Sequence, residues 1–126
     1  MTDSTCDPTS DPLRRFSRPQ RTRLRELAGA AWEAELGTAL RDLHADFERW
    51  AKNRLGSFEL TDRIDGFHNG IARALHNRYT RLDPAMAVAA AVVRGLLDSA
   101  DIEPALLERL APDIERYRRE LDDPAP

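Results

Sequence analysis

The sequence predicts an all-α fold: a small helical bundle of four to six helices, with a long N-terminal helix or helix pair and a disordered N-terminal tail. Three observations carry this. Apolar residues recur at spacings of three and four through most of the chain. No stretch alternates apolar and polar residues as a half-buried strand does. Proline and glycine fall between the periodic segments, where they close one helix and open the next.

Residues 1–20 read as the tail, because Pro8, Pro12 and Pro19 stand among Ser, Thr and Asp without a core-forming pattern. A single helical-bundle domain follows over residues 21–122, with a frayed C-terminus at 123–126. The first helical stretch runs from about Thr22 to Leu55. Its apolar positions Leu24, Leu27, Ala31, Leu36, Leu40, Leu43, Phe47 and Trp50 keep helical spacing, with a register shift near Gly37 that leaves one helix or two open. Unbroken, such a rod is about 50 Å long at 1.5 Å per residue. A bundle of this size does not cover both its ends, which points to a partner, most simply a second copy of the chain.

Gly56-Ser57 reads as a turn, with Ser57 as N-cap of a second helix that carries Leu60, Ile64, Phe67, Ile71, Leu75 and Tyr79 on one face. Asp83-Pro84 is a cap followed by proline at the first helical position. It opens a third helix, to about Asp98, that is apolar nearly all round and therefore buried, in the core or shared with a dimer interface. Pro104 opens a short fourth helix with Leu106, Leu107 and Leu110. Pro112 opens a fifth, with Ile114, Tyr117 and Leu121 inward.

Composition narrows the function. The chain has 126 residues, 41% hydrophobic and 33% charged, which suits one soluble helical domain. A net charge of −3 argues against a dedicated nucleic-acid binder. One cysteine, Cys6, precludes an internal disulfide or a cysteine-based zinc site, and a reducing compartment is the default. The longest apolar run, Ala85 to Val93, is far short of the roughly 20 residues a membrane span needs. The start carries acidic residues and no apolar core of a signal peptide. The expected location is cytoplasmic, with no membrane partner.

Two clusters carry chemistry. His44 with Glu48, and Asp65 with His68, stand four and three residues apart, so each pair shares a helix face. On an antiparallel hairpin folded at Gly56-Ser57 the two pairs lie on the same side. Neutral imidazole and carboxylate at this spacing suit a divalent metal such as zinc, iron or manganese, or an acid/base pair working near neutral pH. The plainer reading is that each pair hydrogen-bonds within its own helix. Gly66 and Gly70 add a pair of small residues where a helix or ligand could approach closely, over Asn69.

The second cluster is Arg14, Arg15, Arg18, Arg21, Arg23 and Arg25, an electrostatic arm for an acidic partner or nucleic acid, or else a solvated linker and first helical turn. The chain has no phosphate-binding glycine loop, nucleophile elbow or zinc-protease motif. The expected function is a small helical interaction or regulatory protein that works through helix packing and homodimerisation, without a bound cofactor. The alternatives are a metal-binding or acid/base enzyme using His44, Glu48, Asp65 and His68, and a nucleic-acid partner using the arginine arm.

Overall fold

The structure is a computed structural model that describes residues 16–122. Residues 1–15, most of the expected tail, and 123–126 lie outside the described residues. The fold is an all-α helical bundle with no strand among the described residues. Its elements are α1 (Arg18–Ala51), α2 (Ser57–Gly66), a π-helical segment (Phe67–Ala72), α3 (Arg73–Arg81), α4 (Pro84–Val93), a 3-10 turn (Ser99–Asp101) and α5 (Pro104–Asp122). The segments α2, π and α3 follow one another without a break, so the chain makes four rods. Its contacts fall into two compact units, residues 16–31 with 82–122, and residues 32–81.

In the first unit α1 begins on a capping box that the sequence reading did not anticipate. Ser17 Oγ accepts from the Gln20 N–H at 3.2 Å, and Gln20 Oε1 accepts from the Ser17 N–H at 2.9 Å. Phe16, just before this cap, is buried. It joins Leu24 and Leu27 of α1, Ala85, Val88 and Ala89 of α4, and Ile102, Leu106, Leu110 and Ile114 in one core. Small alanines on α4 let α5 approach closely, and the leucines of α5 fill the space. Arg23 ties α1 to the turn before α5, donating from Nε to Glu103 at 3.1 Å and from Nη2 to the Asp101 carbonyl at 3.2 Å.

Two expected boundaries move. The third helix ends at Val93 rather than near Asp98, because Gly95 takes a φ of +79° and the Leu96 N–H turns back to the Ala91 carbonyl at 2.9 Å. The Asp83 cap forms as expected, its carboxylate accepting from the Ala85 N–H at 2.9 Å. Pro112 opens no new helix and lies inside α5. Proline removes one backbone donor there, but Leu106, Leu110 and Ile114 are buried on one face that runs straight past it.

The second unit is a helical hairpin. Its first arm is the part of α1 from Trp32 onward, which passes Gly37 without interruption. α1 stops at Asn53, whose φ of 60° lets the Arg54 N–H reach the Arg49 carbonyl at 2.8 Å. The cap of α2 is Gly56, one residue earlier than expected, where the Glu59 carboxylate accepts from the Gly56 N–H at 3.2 Å. Trp50 Nε1 donates to Ser57 Oγ at 3.0 Å across the turn. Polar anchors fix the register of the two arms. Asp46 accepts from Arg49 and, at 3.1 Å, from Arg63, while Glu35 accepts from Arg78 at 3.2 Å and from the Tyr79 hydroxyl. Trp32 stacks on Tyr79, ring centroids 5.7 Å apart, and meets His76 edge-on at 5.8 Å.

Candidate interaction surface

The hairpin of residues 32–81 carries more apolar surface than it covers. Leu60 and Leu75 are buried, and Leu36, Leu43 and Phe67 are half-buried. Leu40, Phe47, Trp50, Ile64 and Ile71 are each between 39% and 47% exposed, and Phe58 is 91% exposed. Among the described residues the only other large apolar side chain this exposed is Leu121 of α5. Scattered single apolar residues on a surface need no explanation, but a contiguous patch marks an interaction site. The helical phase makes this set contiguous. Leu36, Leu40, Leu43, Phe47 and Trp50 follow one another at spacings of four and three, the seam of a heptad pattern. Ile64 and Ile71 keep the same phase on the second arm.

The four His/carboxylate candidates flank this seam and do not close into a site. His44 is 73% and Glu48 60% exposed, with Nδ1 and Oε1 4.0 Å apart, too far for a hydrogen bond. Asp65 accepts from the Asn69 side chain at 2.6 Å, within one turn of its own helix. His68 is exposed. Among the described residues no group of three His, Cys, Asp or Glu side chains is placed to hold a metal ion.

Gly66 and Gly70 flank or lie within the π-helical segment, which also holds His68 and Asn69. A Cβ built on either glycine meets nothing within 4 Å. No helix of the chain itself therefore uses the space that the absent side chains leave. π-segments are uncommon and concentrate at functional positions.

The arginine arm is only partly described, since Arg14 and Arg15 lie outside the described residues. Arg18 and Arg25 are exposed. Arg21 donates to the Phe16 carbonyl at 2.9 Å. Arg23 is held by Glu103 and Glu26, and its pKa is raised first by the hydrogen bond to Glu103 and then by that to Glu26. Part of the arm thus builds the first unit rather than facing a partner.

Sequence reasoning missed the buried carboxylates Glu35 and Asp46. The signal was present: each falls beside the apolar stripe of α1, on the side that turns toward the second arm. A carboxylate there needs a cation opposite, and Arg78 and Arg63 supply it. In the first unit an open groove of about 200 Å³ is lined by Ala90, Val93, Arg94, Tyr117, Glu120 and Leu121. Burial pushes the Tyr117 hydroxyl pKa up. No helix among the described residues is long and apolar enough to cross a membrane. Comparison with protein families, with curated proteins and with solved structures finds no match to this chain.

Proposed function

We propose that this chain is a small cytoplasmic interaction or regulatory protein that acts by helix packing and pairs with a second copy of itself. The observation that carries this reading is the heptad-spaced apolar seam left open on the hairpin of residues 32–81, with Leu40, Phe47, Ile64 and Ile71 all more than one-third exposed. Apolar surface of this kind gains about 25 cal/mol for each Å² taken out of water. Two helices of a four-helix arrangement expose such a seam, and a helical partner covers it.

Sedimentation velocity on the untagged chain tests the reading. The expected result is a species of twice the chain mass that gives way to monomer on dilution. A monomer at every concentration up to several hundred micromolar would overturn homodimerisation.

A further inference from the structure

Resting on that reading, we infer that the two copies pair through α1 in antiparallel fashion, about a twofold axis level with Ala45, so that two hairpins complete a four-helix bundle. The seam itself selects this pairing. Antiparallel helices pack the two kinds of seam position against each other in layers. With the axis at Ala45, Leu40 falls level with Trp50 of the second copy and Leu43 with its Phe47, and each layer recurs on the other side of the axis. The pattern therefore matches its own reverse, which a contact between identical surfaces requires.

The charges repeat the match. Arg41 and Glu48 stand seven residues apart, so they share one edge of the seam. The opposite edge, with Asp46, faces Arg63 of the chain's own second arm. In this register Arg41 comes within one residue of level with Glu48 of the second copy, and the pair occurs twice. The Arg41 guanidinium lies over Gly37, Nη1 3.6 Å from where a Cβ would stand, and so extends along this edge. Gly37 and Ala51 keep the edge narrow. A surface for nucleic acid or an anionic membrane would carry one sign of charge here; this one carries both, in the order that fits a reversed copy.

The second arm follows. Asp46 is level with Arg63, so Ala45 is level with Ile64, and Ile64 meets Ile64 of the second copy at the axis. The seam from Leu36 to Trp50 is about 20 Å long, and two helices are about 20 Å wide. That footprint belongs at the small end of specific interfaces, so dissociation falls in the micromolar range.

The test uses the full chain in sedimentation velocity and in oxidative cross-linking. Ile64→Cys in a Cys6→Ser background is expected to form a disulfide-linked dimer, and a Phe58→Cys control, far from the axis, is not. Arg41→Glu is expected to weaken the dimer about tenfold, and adding Glu48→Arg to restore it. A dimer that neither cross-links at Ile64 nor responds to Arg41→Glu would overturn this pairing and leave homodimerisation standing. A chain monomeric throughout would overturn both. Unchanged helical circular dichroism separates lost pairing from lost folding.

Discussion

Asp46 and Arg63 face each other across the hairpin, Oδ1 to Nη1 3.1 Å, and set the level at which the two arms meet. Asp46 is 9% exposed and also takes a hydrogen bond from Arg49. Its neighbours along α1 are the apolar residues of the open seam. One side of this helix is therefore fixed by charge within the chain, and the adjoining side is left apolar and uncovered.

Asp46→Ala removes the shared acceptor and leaves two guanidinium groups without their carboxylate. The expected cost is about 1–3 kcal/mol, concentrated in residues 32–81. Hydrogen exchange should show faster opening of the hairpin amides than of the α5 amides. Uniform acceleration over the whole chain would count against an anchor local to the hairpin.

Leu106→Ala and Leu110→Ala remove fully buried side chains from the core of the first unit. Each is expected to cost about 2–5 kcal/mol, transfer and cavity terms together. Urea denaturation measures this. A loss under 1 kcal/mol would mean that α4 and α5 close the gap.

Gly95→Ala and Gly66→Ala should act in opposite directions. The first forces a side chain onto a φ of +79° and is expected to destabilise by about 1 kcal/mol. The second places a methyl group where nothing lies within 4 Å, on a helix, and is expected to stabilise the isolated chain by about 0.5–1 kcal/mol. Thermal melts of the two variants decide it, and a destabilising Gly66→Ala would show that a partner uses that space.

Glu103 gives the acid limb of stability a recognisable contribution. Its carboxyl is held below the ordinary value of 4.5, first by its own backbone N–H and then by Arg23. A lowered folded-state pKa adds stability above the ordinary value, and that increment disappears as pH falls through the folded value. Wild type should exceed Glu103→Gln in unfolding midpoint at pH 7, with the gap closing below about pH 4. A gap independent of pH would place its origin elsewhere.

Zinc addition tests the His/carboxylate pairs directly. With His44 and Glu48 4.0 Å apart and no third ligand beside them, added zinc is expected to leave the unfolding midpoint of the monomer unchanged. A rise that vanishes in His68→Ala would restore the metal reading of His44, Glu48, Asp65 and His68.

The rods were legible in the sequence because their signals are local. The spacing from Leu24 to Trp50 announced one long helix, and Asp83-Pro84 announced the start of α4. The boundaries set by longer-range forces were not. Pro112 has the local signature of a helix start, yet burial on both sides of it keeps α5 in one piece. The π-segment has no local signature at all, since its hydrogen-bond shift depends on what the flanking turns pack against. At the candidate site, shared faces were legible for His44 with Glu48 and for Asp65 with His68. Convergence was not, because helix phase gives direction without distance. The seam of α1 was visible as spacing, but whether it was covered depended on the rest of the chain.

The π-segment between Gly66 and Arg73 also bears on how this hairpin tolerates changes in length. A helix that gains one residue must either rotate everything beyond it by about 100° or take up the extra residue in one widened turn. Phe67–Ala72 does the second. Leu75, Arg78 and Tyr79 thereby keep the orientation that buries Leu75 and brings the other two to Glu35. Deleting Asn69 would tighten the turn to an ordinary helix and swing all three away from their partners. The same deletion in the exposed turn at residues 52–56 would leave both arms in phase, so the hairpin is length-sensitive in the middle of its second arm and forgiving at its tip.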